Sequence, residues 1–495
     1  MVRDLVRATI FAPNYRWWAL SVPTLATFMA TSDSGLLSVS LPVIMAEFDA
    51  DVTVAGWIIL IYTLVTGSLY LPGGRVADLA GQKKVFIAGF LLYSVNSALA
   101  GFCQGPEQLI FFRSIQAVGS AFMVGNTFAM ITALFPPEER GRALGFSGGT
   151  GSALGFTLGP ILGGFITHAF GWRYIFYITS FLGLLGFVSA IFILREEVTP
   201  LPQRRKDESF DLAGAALFAV ALTSFLLAVT TGQKGLWRSH LVWGELLLAL
   251  LSLAFFVWWE SRARYPLLDL KLFRILPFAF GNLARLADFV GTSVNGLLMP
   301  FFLQLGLGLD PLRAGILMTP TPLMLAILSP VAGRLSEKIS PRVLASIGLG
   351  IMGVSLMSLG FLSLEASSAE VIARLAFLGL GLGLYQTPNN NSLMSSIPEN
   401  RLGVASSFLS MIRSVGQSVG TALATTIVSA TLLAVAGQTS LQDLRLAAPA
   451  GRNPLLLKAF MQGYWYAYFT AALFCFVGAA ASLVGKGQGQ KSVAG

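Results

Sequence analysis

The stretch GRVADLAG occupies positions 74–81, and a relaxed copy, GRLSEKIS, occupies 333–340. Gly74, Asp78 and Gly81 thus recur 259 positions later as Gly333, Glu337 and Ser340. Other pairs lie 261 positions apart: Arg113 with Arg374, Arg140 with Arg401, Gly155 with Gly416 and Gly159 with Gly420. An offset this steady marks an internal duplication. Duplicated halves around a midplane site are a recurrent construction of membrane transporters.

The chain around the two copies is apolar. Of its 495 residues, 55% are hydrophobic and 12% charged, against roughly 25% charged in a soluble domain; the mean hydropathy is +0.71. A soluble protein of this length needs several polar-skinned domains, and the charge for them is missing. Disorder is excluded by the same numbers. Cys103 and Cys475 are too few for a disulfide framework or a metal cluster. The composition implies a polytopic all-α membrane protein.

Apolar runs near 17–44, 54–74, 84–103, 107–134, 143–168, 173–194, 211–231, 241–259, 276–303, 312–333, 342–363, 370–396, 403–432 and 461–484 make fourteen candidate spans, each near the ~20 residues a bilayer requires. The first is too long for a signal h-region and lacks a small-residue cleavage site, so it is expected to remain. Of the Lys and Arg outside the spans, twenty-two fall in one set of connections and seven in the other. This bias predicts cytoplasmic termini. The net charge of +9 therefore reflects topology, and no nucleic acid is expected, because the basic residues do not gather on one face. The expected organisation is a segment 1–16, a six-helix half 17–194, a connection 195–274 with two inserted helices, a second half 275–484 and a tail 485–495.

Charge inside hydrocarbon costs at least ~2.5–3.5 kcal/mol, so it marks function by default. Asp33 and Asp288 are the acids well inside the spans, with Arg113, Arg285, Arg374 and Arg413. Asp33 lies nine residues before Pro42, and Arg113 six after Glu107. At 1.5 Å per residue they sit ~13 and ~9 Å below the outer end, depths that allow contact. Asp33 is expected to carry a proton, with a fixed interhelical tether as the alternative. Arg285 and Asp288 are three apart and share a face; mutual neutralisation and a second proton site are both open. Four Arg to two Asp is a cationic balance, which leaves an anionic substrate group in play.

Several motifs together resemble the fourteen-helix drug:proton antiporters of the major facilitator superfamily. GGRVADLAGQKK (73–84) is similar to its loop motif Gly-x-x-x-Asp-x-x-Gly-Arg/Lys-Lys, LIFFRSIQAVGSA (109–121) to its buried-Arg motif, and GSALGFTLGPILGG (151–164) to its antiporter motif. SDSGLLSVSLP (32–42), WRYIFYI (172–178), LLDLKLF (267–273) and MPFFLQLGLG (299–308) add smaller matches. Helix 1 departs in carrying Ser-Gly after its acid, and the second loop copy is degenerate. The resemblance implies a major-facilitator fold of two six-helix halves plus two inserted helices, with helices 1 and 4 lining a cavity. It also implies proton-coupled efflux of amphipathic compounds (multidrug efflux, antibiotic resistance) by alternating access. Gly74, Asp78, Gly81, Lys83 and Arg140 would form a latch on the cytoplasmic side, Asp78 either capping a neighbouring helix or pairing with Arg140. Gly151, Gly155, Gly159, Pro160, Gly163 and Gly164 would form a kinked, close-packed stripe that seals against leak.

Three amides interrupt the 370–396 run in GLYQTPNNNSLM (383–394), and unsatisfied polar groups do not face lipid. Tyr385, Gln386, Asn389, Asn390, Arg285 and Arg413 are thus cavity candidates, with Trp57, Tyr62, Phe289, Asn295 and Gln304 as weaker ones. The alternatives are an exporter or flippase of a lipid or anionic metabolite, and a non-transporting sensor or scaffold. Enzyme chemistry is not expected, nor direct use of ATP, since no P-loop is present. No cofactor or metal is expected. The expected partners are a small amphipathic substrate, protons and the lipid bilayer, with the protein a monomer.

Overall fold

A computed structural model describes residues 13–48, 52–195, 210–232, 239–309, 311–398, 401–436 and 454–484. Most of the expected 1–16 segment, the 485–495 tail and parts of the 195–274 connection lie outside the described residues. Among the described residues the chain is helical, without strands. In hydrocarbon no water satisfies backbone N–H and C=O groups, so each apolar run closes its own hydrogen-bond ladder.

The first half comprises α1 (Pro13–Phe48), α2 (Val52–Ala80), α3 (Gln82–Gly101), α4 (Pro106–Gly125), α5 (Thr127–Leu134), α6 (Pro137–Leu144), α7 (Ser152–Ala169) and α8 (Arg173–Ile193). The inserted pair is α9 (Leu212–Thr231) and α10 (His240–Glu260). The second half comprises α11 (Leu276–Phe301), α12 (Pro311–Met318), α13 (Pro320–Lys338), α14 (Pro341–Gly360), α15 (Ser368–Ser395), α16 (Leu402–Ala436) and α17 (Pro454–Val484). Among the described residues, thirteen helical runs are long and apolar enough to cross a membrane. The 36-residue α1 covers the apolar run 17–44.

Local departures from the sequence reading have local causes. The span expected at 107–134 is divided at Asn126, whose amide donates back to Phe122 O at 2.8 Å. The span 143–168 begins earlier, as α6, and passes through a π-helical stretch, Gly145–Gly151, before α7. That glycine-rich stretch is where α geometry is lost; α7 stays α-helical through Pro160, whose side chain lies outside the described residues. The 73–84 motif is not a loop. Helix α2 runs on to Ala80, and Gly81, at φ 98°, makes the turn into α3, a conformation glycine adopts freely.

Each half has its own core. Phe86, Phe90, Met123 and Met130 pack in the first half, and Leu349, Met352, Leu356 and Tyr464 in the second. Another cluster joins Leu64 and Leu71 of α2 to Phe218 and Leu222 of α9, Phe256 of α10 and Phe408 of α16. The inserted pair therefore packs beside the seam between the halves. Ser68 and Thr223 hydroxyls, 2.7 Å apart, add a polar tie there.

The halves meet near the face where α1 begins. Thr150 Oγ1 donates to Ala326 O (3.0 Å), Ser407 Oγ to Gly125 O (3.1 Å) and Ser410 Oγ to Val124 O (3.3 Å). Gly74 lies directly on Gly403 and Ser407 of α16, while its copy Gly333 lies on Gly141 and Arg142 of α6. The duplicated glycine makes the same kind of cross-half contact twice.

Candidate functional site

Asp33, on α1, and Arg113, on α4, form a buried bidentate pair. Arg113 Nη1 donates to Asp33 Oδ1 and Nη2 to Oδ2, both at 2.9 Å. Tyr93 of α3 donates its hydroxyl to Oδ1 at 3.1 Å. Arg113 Nη1 also donates to Gln116 Oε1 (2.7 Å), whose amide donates to Ser97 Oγ (2.5 Å). The Arg113 guanidinium stands 4.3 Å from the centre of the Tyr62 ring, and the Tyr62 hydroxyl donates to Ser120 Oγ at 2.7 Å. Asp33 is 4% and Arg113 2% exposed. The bidentate geometry offsets much of the desolvation of both ions, although the buried Arg113 Nε has no hydrogen-bond partner. Both Asp33 oxygens are thus engaged as acceptors by the guanidinium.

Directly behind this site runs the small-residue stripe. A Cβ on Gly159 would stand 2.8 Å from Ser32 O, and one on Gly163 2.6 Å from Leu36 O. Gly155 meets Thr31 and Phe28 in the same way, and Gly151 meets Thr24 more loosely. Each missing side chain lets α7 approach the α1 backbone. Gly164 is half-buried at the end of the stripe.

The second-half cluster is arranged differently. Arg285 and Asp288 of α11 share a helix face but form no ion pair. Arg285 turns to α16 and α15, donating from Nε to Leu409 O (2.9 Å) and from Nη1 to Asn390 Oδ1. Those acceptors satisfy the buried guanidinium where the neighbouring acid does not. Asp288, fully buried, accepts from Gln386 Nε2 at 3.3 Å, and its Oδ1 has no hydrogen-bond partner. Phe289 stands between two guanidinia, 5.1 Å from Arg285 and 5.9 Å from Arg413. Asn389 donates to Gly281 O at 3.2 Å. Tyr385 is fully buried with its hydroxyl unpartnered.

Other candidates lie away from either cluster. Asn295 is buried and accepts from the Tyr468 hydroxyl at 2.9 Å, within the second-half core. Gln304 lies in the π-helical turn Phe302–Gly306, half-buried. Trp57, near the start of α2, is 38% exposed. Arg374, grouped above with the in-span charges, is anchored near the start of α15 by Glu370 and Ser358 O.

At the near face, Asp78 reaches across to the other half. Its Oδ1 accepts from Gly403 N at 2.8 Å and its Oδ2 from Val404 N at 3.1 Å. These are unbonded donors at the start of α16, where the helix dipole also favours an anion. Of the two roles open to Asp78, it takes the cap. Arg140 Nε instead donates to Phe135 O at 3.0 Å. Lys83 Nζ donates to Ile191 O at 3.3 Å.

The model of the Major Facilitator Superfamily matches residues 24–421 and, a second time, 281–485. The chain belongs to this superfamily. It is 30% identical over 408 residues to the riboflavin transporter RibZ of Clostridioides difficile, covering 82% of this chain and 87% of that one. It is 31% identical over 411 residues to the multidrug resistance protein Stp of Mycobacterium tuberculosis, covering 83% and 75%. The fold matches the solved structures of the human organic anion transporter TETRAN (TM-score 0.61, 14% identity, 93% of this chain and 98% of that one) and the proton:xylose symporter XylE (0.60, 14%, 96% and 95%). It is a multi-pass membrane transporter.

The sequence reading of this transporter missed part of its ionic site. Gln116 lies one helical turn from Arg113, and that spacing was a usable signal. Tyr93 and Ser97 carried none, because only packing of α3 against α4 brings them to the site. Phe128 and Phe156, at 5.3 Å from Arg285 and 5.6 Å from Arg413, were likewise invisible among 37 phenylalanines.

Proposed function

We propose that this transporter exports amphipathic compounds in exchange for protons by alternating access, with both termini in the cytoplasm of a cell (inner) membrane. The carrying observation is the buried Asp33–Arg113 pair inside the first half. With the near face cytoplasmic, the Asp78 cap and the glycine crossings hold the cavity closed to the cytoplasm, an outward-facing arrangement. Asp33 takes a proton from outside as substrate leaves, and Arg113 is released. After the halves rock, Asp33 yields the proton to the cytoplasm and Arg113 re-forms the pair as new substrate binds. The lengthwise similarity to a protein named for multidrug resistance supports the efflux direction.

A proteoliposome assay tests this. An imposed pH gradient should drive substrate movement, and substrate should drive proton flux; Asp33→Asn should abolish both. Unchanged flux in that variant would remove Asp33 as carrier. A second reading, export or flipping of an anionic metabolite or lipid, is favoured by the guanidinium excess around Phe289.

A further inference from the structure

Among the intramembrane cations, Arg413 is the one the fold leaves without a polar partner. Arg113 is matched by Asp33, Arg285 by Leu409 O and Asn390, and Arg374 by Glu370 and Ser358 O. Arg413 is half-buried on α16, and among the described residues it makes neither a salt bridge nor a hydrogen bond. What holds it is aromatic. Its guanidinium stands 5.6 Å from the Phe156 ring of the first half and 5.9 Å from the Phe289 ring of the second. Phe156 is 43% exposed, so the arrangement is not sealed into a core. Tyr62, Tyr70, Asp288 and Arg285 are titratable groups that act on its charge.

A guanidinium kept in a low-dielectric membrane interior without an acceptor is costly unless something supplies one. Rings on both sides stabilise the cation only modestly but offer two flat apolar faces. The second-half cluster holds Arg285 and Arg413 against one carboxylate, Asp288, whereas the first-half pair is neutral in sum. An incoming cation would meet excess positive charge here; an anion would complete it.

We infer that Arg413, with Phe156 and Phe289, forms a substrate subsite for the anionic group of a flat aromatic amphiphile, such as an aryl carboxylate, sulfonate or phosphate. This deepens the efflux reading above and rests on it for the transport direction only. Arg413 donates to the anion while the substrate ring lies against the phenylalanines. Because Phe156 and Phe289 belong to different halves, the subsite exists only while both flank Arg413, so the rocking that moves the halves also changes its affinity. Asp33 remains the separate proton site.

Equilibrium binding to the full chain in nanodiscs, with no pH gradient, separates this inference from proton coupling. The probes are pyrenebutyrate and its neutral alcohol, pyrenebutanol, which share the ring and differ in charge. The acid should bind about tenfold or more tighter, the worth of one charge-assisted hydrogen bond. Arg413→Gln should erase that preference, bringing the two affinities together, while its remaining measurable pyrenebutanol binding reports that the variant is folded. Arg413→Lys should keep part of it. Equal affinity for acid and alcohol in the natural protein, or a preference that survives Arg413→Gln, would overturn the subsite. Displacement of pyrenebutyrate by phosphatidylglycerol as readily as by an aryl sulfonate would overturn it in favour of a lipid headgroup. Loss of proton flux with this preference intact would sink the coupling mechanism and leave the subsite standing.

Discussion

The carboxylate of Asp78 caps the first turn of a helix 325 positions away in the chain, accepting from Gly403 N at 2.8 Å. Both oxygens are used, the second by Val404 N, so one side chain of the first half closes the open end of α16 in the second. Gly74, one turn earlier on α2, lets the same two helices touch backbone to backbone. Cap and crossing are one device.

Asp78→Asn should loosen it. The amide keeps one acceptor but turns N–H donors toward backbone donors, a loss of about 1.5–3 kcal/mol for a charged hydrogen bond. A cysteine placed at Ser407, which contacts Gly125 O across the seam, should then react faster with a thiol reagent from the near face. An unaltered labelling rate would mean the cap does not hold the seam.

Arg113→Gln should lower stability by about 3–5 kcal/mol, because Asp33 would remain buried without its partner. Adding Asp33→Asn should restore most of that loss. Thermal unfolding in detergent measures the first effect and its reversal. Transport should stay absent in the double variant, since a polar uncharged pair binds no proton.

Gly163→Ala should cost about 1–3 kcal/mol. Its Cβ would stand 2.6 Å from Leu36 O, and backbone cannot step aside. Gly151→Ala should be milder, because the contact there is the Thr24 methyl at 3.2 Å, which can give. The order of the two melting temperatures is the check.

Glu47 follows the span of α1 and binds Trp172 and Arg173 at the start of α8. Those hydrogen bonds hold its carboxyl below its ordinary value of 4.5. A depressed folded value stabilises the protein above the ordinary value, and the benefit fades as pH falls through the lower one. The α1–α8 tie should therefore be intact at neutral pH and lost in acid, read by Trp172 fluorescence. Glu47→Gln should remove that acid transition.

Glu260 ends α10, 4% exposed, and accepts from Leu267 N and Leu268 N at 3.2 Å each. Glu260→Ala should cost about 1–3 kcal/mol for each donor left unpaired. Glu260→Gln should recover about half. Protease sensitivity of the segment after α10 would report the release.

The duplication, the fourteen apolar runs and the short roster of intramembrane charges are properties of composition and spacing, because hydrocarbon imposes nearly the same demand on every residue that enters it. Hence Asp33, Arg113, Asp78 and the glycine stripe could be picked out one letter at a time. Whether two such residues touch is not a property of spacing. Arg285 and Asp288 share a face three residues apart yet part company, because Leu409 O and Asn390 present better acceptors to the guanidinium. Asp78 takes Gly403 and Val404, not Arg140, because the two halves cross there. Tyr93 reaches Asp33, and Arg413 is left between two rings, only because helices distant in the chain pack side by side. The linear order of residues decided which ions would enter the bilayer; the packing of α1, α4, α11 and α16 decided which of them found partners, since a buried charge is matched by whatever the neighbouring helices bring within about 3 Å of it.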